Sequence, residues 1–308
     1  MMTVDAAPRG APLWILAAAA LIRRAPAGRY RMAHALGRFA ADPFLMRVPP
    51  ALGGYTFYCD IRDSVAREVC FTGRYEPQET QIAARILRAG MMVVDVGANW
   101  GYFSLAAAHW VGHAGRVISF EPEPRLFAIL QANVARNALG QVSLRRLAVA
   151  AAAGRVTLDP FDEHAGNWGV SQIGGTGTFA CEAVPLDDQL DAERAATVDL
   201  LKIDVEGSED DVLKGMARGL ASHRYRYILL ECHPDSLQMR GSSVRACVDL
   251  LLAAGYRAWA IDHTPDVHRR AAAGPLPMTE LLQPVDSATA FSAWPHFLFA
   301  APGVPDLS

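Results

Sequence analysis

The chain has 308 residues, of which 51% are hydrophobic and 20% are charged, and its formal net charge is -3. This composition is typical of a globular protein with a sizeable core, and without a long basic block it argues against a nucleic-acid-binding protein. The five cysteines are widely spaced and form no C-x-x-C pair, which predicts reduced thiols in a cytoplasmic protein rather than a disulfide framework.

Residues 1–54 are predicted to form an N-terminal helical extension, followed by one domain at 55–308. Within the extension, the apolar run 11–22 is shorter than the roughly 20 residues that a membrane-spanning helix needs. Arg23 and Arg24 follow this run, whereas a signal peptide carries its positive charge before the apolar segment. We therefore expect no transmembrane segment but a helix packed on the domain, with peripheral membrane contact through Trp14, Arg23 and Arg24 as the alternative.

Beyond the extension, apolar runs alternate with segments of helical periodicity. Strands are predicted at 55–59, 92–96, 116–121, 142–147, 155–158, 178–184, 200–204, 227–231, 256–261 and 296–299. Helices are predicted at 76–88, 101–110, 124–137, 209–217 and 243–254. This alternation indicates an α/β fold with a doubly wound, mostly parallel Rossmann-like sheet of about seven strands. The polar, glycine-rich segment 159–177 is predicted to be a loop over the ligand cleft.

The segment 95–104, DVGANWGYFS, follows the first central strand and leads into a helix. Glycine tolerates a positive φ and has no Cβ, so such a turn lets the backbone approach a ligand closely. A dinucleotide fingerprint would read G-x-G-x-x-G, whereas the glycines here are Gly97 and Gly101 and an acid, Asp95, precedes them.

The next strand, 116–121, ends in a second acid, Glu121. A carboxylate at this position suits the two hydroxyl donors of a ribose and disfavours a 2′-phosphate. The turn and this acid together resemble the first motif and the ribose-binding acid of S-adenosylmethionine (AdoMet) methyltransferases more than a nicotinamide site.

Charged residues also follow the later strands. Lys202, Asp204 and Glu206 alternate along one strand end, and Glu231 and His233 follow the next strand. Side chains two apart on a strand project from the same face, and ligands of open α/β sheets collect at the carboxyl ends of the strands. We therefore expect these groups to line a cleft, with Lys202 as an ion-pair partner.

These motifs, in this order, resemble those of FkbM-type AdoMet methyltransferases. The resemblance covers residues 76–234, and its most specific parts are DVGANWG at 95–101 and LKIDVEGSE at 201–209. It also includes Asn133, Asn137 and the segment 231–233. The family implies a Rossmann-like methyltransferase fold and O-methylation of a hydroxyl on a sugar, glycolipid or natural product.

The resemblance also implies roles for individual residues. The methionine portion of AdoMet is expected at Asp95, Gly97, Asn99 and Gly101, the ribose at Glu121 and the adenine near Ala148. Asp204 is expected beside the transferring methyl group. Glu206, Asn167 and Trp168 are the candidate acceptor-binding residues.

Glu231 and His233 keep three interpretations. They can act in acid–base catalysis or acceptor binding, they can bind a divalent metal together with Asp204, or they can be structural. His263 and His268, near the C-terminus, are predicted to be solvated loop residues. Two other functions remain open: a nucleotide-dependent oxidoreductase on a similar fold, and an inactive AdoMet-binding partner subunit.

Overall fold

The N-terminal part of the chain combines helices with a hairpin. The computed structural model describes residues 9–25, 28–37, 39, 42–158, 179–286, 289–305 and 307. The first elements are α1 (Leu13–Arg24), α2 (Arg29–Leu36), β1 (Phe44–Arg47), β2 (Thr56–Cys59), α3 (Ser64–Thr72) and α4 (Pro77–Ile86). Strands β1 and β2 pair in antiparallel fashion around a 3-10 turn at Pro50–Leu52. The predicted domain boundary at residue 54 therefore falls inside a paired hairpin, and the division stays a prediction.

The remaining strands and helices alternate along most of the chain. The strands are β3 (Met92–Val96), β4 (Arg116–Phe120), β5 (Val142–Arg145), β6 (Ala148–Val149), β7 (Gly154–Leu158), β8 (Phe179–Val184), β9 (Val198–Ile203), β10 (Tyr225–Glu231), β11 (Arg257–Ile261), β12 (Leu282–Pro284) and β13 (His296–Ala300). The helices are α5 (Tyr102–Val111), α6 (Pro124–Arg136), α7 (Leu186–Ala192), α8 (Glu209–Lys214), α9 (Ala217–Ala221), α10 (Pro234–Met239), α11 (Val244–Ala253), α12 (Pro265–Ala273) and α13 (Met278–Leu281).

The central sheet has the order β12-β11-β13-β10-β9-β3-β4-β5. Strands β5, β4, β3, β9 and β10 are parallel neighbours, and β13 runs antiparallel between β10 and β11. This confirms the doubly wound α/β prediction. The sheet has eight strands rather than about seven because β12, which is too short for its alternation to be recognised, adds an edge strand.

A second, three-stranded sheet has the order β6-β8-β7. It contains the two short strands predicted beside the loop 159–177. That loop, including Asn167 and Trp168, lies outside the described residues.

Helices cover both faces of the central sheet, and its side chains alternate between two apolar cores. On β3, Val93 packs into one core, whereas Val94 and Val96 pack into the other. On β9, Leu200 and Leu201 divide in the same way. The two-residue period of a strand thus explains the nearly continuous apolar runs, since both faces are buried.

The strand order reverses between β3 and β9. From β3 the chain adds β4 and β5 on one side, and it later returns to place β9 on the other. Two loops therefore diverge at the carboxyl ends of β3 and β9, and the gap between them is where open α/β sheets bind ligands.

No helix in the described ranges is long and apolar enough to cross a membrane.

Candidate functional site

The glycine turn after β3 is held against the end of β9. Gly97 has a φ of 87°, and a Cβ at this position would lie 1.7 Å from the backbone oxygen of Asp204. Its N–H and that of Ala98 donate to the carbonyl of Phe120 at 3.0 and 2.9 Å. Gly97 is thus required first by backbone packing between neighbouring strands, and the same packing fixes the turn at the mouth of the cleft.

Gly101 has a different role from Gly97. It precedes α5 with a φ of 90°, and an added Cβ would lie 2.5 Å from the side chain of Leu130 on α6. It therefore permits close packing of α5 on α6, and it does not line either of the two clefts described below.

Asp95 lies beneath the turn and is 1% exposed. Its Oδ2 accepts a hydrogen bond from Ser104 at 2.5 Å, and Ser104 in turn contacts Ser119 at 2.7 Å. Its Oδ1 is buried, and among the described residues it has no hydrogen-bond partner. Burial raises the pKa of the Asp95 carboxyl, with Lys202 and Ser104 opposing that effect. A buried acceptor without a partner at the cleft suits a cationic ligand group.

Glu121 joins the glycine turn to the end of β4. Its Oε2 accepts from the backbone N–H of Asn99 at 2.8 Å, and its Oε1 accepts from that of Glu123 at 2.9 Å. Each carboxylate oxygen has a second lone pair, so both can still accept hydrogen bonds from a ligand. Burial raises the pKa of Glu121 to about 8.

Asn99 adopts a left-handed conformation with a φ of 50°. Its Oδ1 accepts from the backbone N–H of Trp100 at 2.6 Å. The side chain therefore stabilises the turn, and the residue lines the cleft.

The Glu121 cleft has an empty volume of about 570 Å³ and combines apolar walls with three acidic residues, of which Asp204 and Glu206 also line a second cleft. It is lined by Val96, Gly97, Asn99, Phe120, Glu121, Pro122, Leu147, Ala148, Val149, Leu158, Asp204, Val205 and Glu206. The predicted adenine residue, Ala148, is thus next to the predicted ribose residue. The combination of a flat apolar slot and a carboxylate fits a nucleoside.

The Lys202 cleft adjoins it, with an empty volume of about 670 Å³. Its charged lining residues are Glu76, Asp95, Lys202, Asp204, Glu206 and Glu231, and its aromatic ones are Tyr75, Trp100, Tyr102, Phe103 and Trp294. The two clefts share Gly97, Asn99, Asp204 and Glu206, so they form one continuous groove over the ends of β3 and β9.

Lys202 is the cation at the base of this groove. Its Nζ lies 2.9 Å from Oδ2 of Asp204 and 3.4 Å from Oε2 of Glu76. Burial alone would lower the pKa of Lys202, but these carboxylates hold that pKa well above its ordinary value. Burial alone would also raise the pKa of Asp204, but Lys202 keeps it below its ordinary value. Both groups are therefore charged, and Lys202 is the ion-pair partner that the sequence predicts.

His233 contacts two carboxylates from the loop after β9. Its Nδ1 lies 2.7 Å from Oε1 of Glu209, and its Nε2 lies 3.0 Å from Oε2 of Glu206. Burial would lower the pKa of His233, but Glu206 and Glu209 raise it to about 11. A histidine held in this protonated form does not accept a proton from a hydroxyl, so these contacts do not support the acid–base interpretation of His233.

Glu231 lies on the opposite side of the groove from the glycine turn. Its Oε1 accepts from the indole Nε1 of Trp294 at 2.6 Å and lies 3.6 Å from Nε2 of His233. Trp294 is 56% exposed and packs edge-on against His233. Sequence reasoning missed Trp294 and Glu76 as groove residues because both come from outside the strand-end motifs.

A second ionic cluster lies behind Glu231. Oε1 of Glu79 accepts from His263 at 2.6 Å and contacts Nδ1 of His296 at 2.9 Å, and the two rings stack at 4.0 Å. Burial would raise the pKa of Glu79, but the imidazoles hold it well below its ordinary value. The prediction that His263 and His268 are solvated was wrong: His263 pairs with Glu79 and His268 with Gln78, both on α4.

The sequence matches the family model for the methyltransferase FkbM domain over residues 95–258. It is 28% identical to the hexuronic acid methyltransferase AglP of Haloferax volcanii over 139 residues, which are 45% of this chain and 54% of that protein. It is 32% identical to the 31-O-demethyl-FK506 methyltransferase FkbM of Streptomyces tacrolimicus, over 48% of this chain and 67% of that protein. A third relative, the 2-O-methyltransferase NoeI of Sinorhizobium fredii, is 26% identical over 56% of this chain and 75% of its own length. The chain thus spans about half the length of AglP.

Proposed function

Because the chain belongs to the family of FkbM methyltransferases, we propose that it transfers a methyl group from AdoMet to a hydroxyl oxygen of a sugar, glycolipid or other natural product. The relatives' names include a hexuronic acid methyltransferase, a 31-O-demethyl-FK506 methyltransferase and a 2-O-methyltransferase, which supports an oxygen acceptor.

The observation that carries the proposal is the continuous groove over β3 and β9. The Glu121 cleft is the apolar half of this groove, contains Ala148 and suits the nucleoside. The Lys202 cleft is its acidic half and suits the positive charge of the methyl donor. The free Oδ1 of Asp95 is a suitable acceptor for the ammonium group of the methionine portion. When bound, AdoMet supplies an electrophilic methyl group on a sulfonium cation.

The residues of the acidic half position the acceptor hydroxyl. Asp204 lies where the two clefts meet and is fixed by Lys202, so we assign it to the place beside the reacting atoms. Much of the rate of such a transfer comes from holding nucleophile and methyl carbon at near-attack distance, so one strong base is not required.

Glu206 and Trp294 are the described residues best placed to bind the acceptor. Glu206 offers a carboxylate at the junction of the clefts, and the exposed indole of Trp294 offers a flat apolar face beside it. Polyols combine hydroxyl donors with apolar C–H faces, so this pairing suits a sugar-like acceptor. Asn167 and Trp168 remain proposed acceptor residues.

Calorimetric titration of the full chain with AdoMet and with NAD(H) tests the cofactor assignment. We expect AdoMet to bind and NAD(H) not to bind; nicotinamide binding without AdoMet binding would favour the oxidoreductase instead. Transfer of an isotope-labelled methyl group to a panel of uronic acids, amino sugars and macrolides then tests for turnover. AdoMet binding without turnover across the panel would favour the inactive partner subunit.

We also propose that α1 contacts an anionic membrane surface. The helix buries Ile15, Ala19 and Ile22, whereas Leu13, Trp14, Leu16 and Leu21 on its other side are 85, 43, 48 and 70% exposed. Arg24, at the C-terminal end of this exposed face, is also exposed. An apolar stripe with a tryptophan and a flanking arginine is typical of helices that lie in a lipid headgroup region.

A cytoplasmic location is part of this proposal, in keeping with the free cysteines of the described chain.

Co-sedimentation with phosphatidylglycerol-containing vesicles tests this surface. The double variant Leu13→Gln/Leu21→Gln should lose binding, while Met239→Gln, which changes a side chain 76% exposed elsewhere, should retain it. If Leu13→Gln/Leu21→Gln abolishes self-association instead of vesicle binding, the face belongs to a second copy of the chain and the membrane proposal fails.

A further inference from the structure

We propose that Asp204, Glu206 and His233 form a divalent-cation site in the acidic half of the groove. One ligand atom from each of these residues, a carboxylate oxygen or a ring nitrogen, lies within 4.8 Å of the other two. Oxygen ligands lie roughly 2.0–2.6 Å from Mg²⁺ or Ca²⁺, so two ligands of one ion are less than roughly 5 Å apart. The three atoms are therefore close enough to share one ion, which would displace the proton from Nε2 of His233 because only an unprotonated ring nitrogen binds a metal.

The orientation of His233 points to a ligand. The side chain is 7% exposed, and its Nε2 is buried without a hydrogen bond of good geometry although Oε2 of Glu206 lies 3.0 Å away. Its other nitrogen, Nδ1, is held by Glu209, whose Oε1 also accepts from the N–H of Gly207 at 2.8 Å. A carboxylate that fixes one imidazole nitrogen and leaves the other for a ligand is the usual support of a metal-binding histidine.

The backbone keeps the two ligand-bearing segments together. Glu206 has a φ of 55° and Gly207 a φ of 107°, and a Cβ on Gly207 would lie 2.1 Å from Cβ of Ser236 on α10. His233 is the residue immediately before α10. The loop after β9 and the start of α10 thus dock tightly, which fixes Glu206 relative to His233.

The carboxyl groups of the groove outnumber the cations beside them, Lys202 and the protonated His233. The lining of the groove has five carboxylates, from Glu76, Asp95, Asp204, Glu206 and Glu231, and one ammonium group, from Lys202. Lys202 binds only one oxygen of Asp204, Oδ2, which leaves the other oxygen for an ion. Carboxylates in a poorly solvated cleft are costly unless they are paired or bind a metal. A divalent ion offsets this excess more completely than the methyl donor alone, whose net charge is one.

This set differs from the metal ligands suggested by the sequence, since Glu206 takes the place of Glu231. Glu231 instead clusters with Glu76 and Asp204 and accepts from Trp294. In the third candidate group, Glu79 with His263 and His296, both rings already engage one carboxylate oxygen, Oε1 of Glu79. This group therefore serves as the internal control.

The role of the ion rests on the proposed function. A cation held by Asp204, Glu206 and His233 would orient the acceptor oxygen beside the methyl donor and favour its deprotonation. Binding of the ion itself can be measured without any methyl transfer.

The test is titration of metal-free full-length protein with Mn²⁺, followed by electron paramagnetic resonance and calorimetry, with and without AdoMet. Wild type should bind one Mn²⁺ per chain at this site. Glu206→Gln and His233→Gln should each raise the Kd at least about tenfold, as should Glu209→Gln, which removes the support of His233. Glu79→Gln should change the Kd less than twofold.

Several outcomes would overturn the site. They are absence of Mn²⁺ binding in protein that binds AdoMet, an unchanged Kd in Glu206→Gln, and a Kd that responds to Glu79→Gln instead. Glu206 is partly exposed, so its variant should fold even where His233→Gln does not. Mn²⁺ binding that needs Glu206 in protein that fails to bind AdoMet would support the site and reject the proposed function.

Discussion

Gly97 packs against the backbone of a neighbouring strand end and also lines both clefts of the groove. Its positive φ and its contact with the Asp204 carbonyl leave no room for any side chain. Gly90 has nearly the same φ, 86°, but an added Cβ there would meet no atom within 4 Å. Substituting alanine at Gly90 therefore measures the free-energy cost of the positive φ alone, whereas substituting it at Gly97 adds the cost of the steric overlap.

We predict that Gly97→Ala destabilises the protein far more than Gly90→Ala. The conformational cost of alanine at positive φ is about 1–2 kcal/mol at either site, whereas the steric overlap at Gly97 should add about 3 kcal/mol or more. Urea denaturation of both variants measures the difference. Equal losses would mean that the turn relaxes freely away from β9.

The titration of Glu121 makes the unfolding free energy of the protein depend on pH. The ordinary pKa of this carboxyl applies in the unfolded chain, while burial raises the native pKa to about 8. The native state therefore holds the proton over a pH range in which the unfolded state has lost it. The protonated carboxyl of Glu121 therefore contributes fully to the unfolding free energy below its pKa in the unfolded chain. That contribution is lost as the pH rises through its pKa in the native state.

Glu121→Gln should accordingly flatten the fall in unfolding free energy between about pH 5 and about pH 9. The same variant should raise the Kd for AdoMet by at least about tenfold, since the NH₂ group of glutamine replaces an oxygen that would accept a hydrogen bond from a ribose hydroxyl. Urea denaturation across the pH range and calorimetry provide the two measurements. A slope identical to that of wild type would show that Glu121 is ionised in the native state.

Asp204→Asn should abolish most methyl transfer while leaving cofactor binding intact. We expect turnover to fall at least about 100-fold because the charge beside the acceptor oxygen is lost. The AdoMet Kd should stay within about threefold, since the proposed nucleoside contacts are at Glu121. Asp199→Asn, at the opposite end of β9, is the matched control and should retain activity. Unchanged turnover in Asp204→Asn would remove this residue from the mechanism.

At the scale of elements, two asparagine side chains at the end of α6 hydrogen-bond the backbone of β2, as a neighbouring strand would. Asn133 accepts from the N–H of Tyr58 and donates to the carbonyl of Trp100, both at 2.9 Å. Asn137 accepts from the N–H of Thr56 and donates to its carbonyl, both at 2.7 Å. The two asparagines, one helical turn apart, thus connect β2 to the helix, and Asn133 connects it to the glycine turn. Both were singled out in the sequence by family resemblance, and the structure gives them this architectural role.

Asn133→Leu should cost about 3 kcal/mol of unfolding free energy, because it leaves a buried backbone donor and a buried acceptor without partners. Gln131→Leu, an exposed change on the same helix, should stay within about 0.5 kcal/mol of wild type. Urea denaturation of both variants checks the prediction. A loss of comparable size in Gln131→Leu would attribute the effect to helix propensity or solubility instead.

At the scale of the molecule, β3, β4 and β9 all contribute to one groove. A ligand bound there contacts the native sheet and not the unfolded chain, so it should stabilise the whole domain. AdoMet at about 100 times its Kd should add about 2.7 kcal/mol to the unfolding free energy. Thermal denaturation should show the domain melting at a higher temperature with AdoMet and unchanged with NAD(H). A shift with NAD(H) alone would contradict the cofactor assignment.

The sequence alone was sufficient for the local structure around the glycine turn. Apolar runs predicted the parallel strands, and glycine and acid positions predicted the turn at 95–101 and the nearby Glu121. These signals are local, because strand alternation and turn chemistry act between residues close in the chain. The family assignment followed from the same motifs and is confirmed by the match over residues 95–258.

Only the tertiary structure decided which charges meet. Glu76, Trp294 and His296 come from distant segments and surround Glu231, Lys202 or Glu79 only after the sheet has formed. The strand order placed β13 between β10 and β11, and packing of the loop after β9 on α10 brought Glu206 to His233. Such contacts depend on how elements pack over long chain separations, which no local pattern encodes. The glycine turn therefore indicated the methyl donor, whereas the shape and charge of the Lys202 cleft emerged only from the fold.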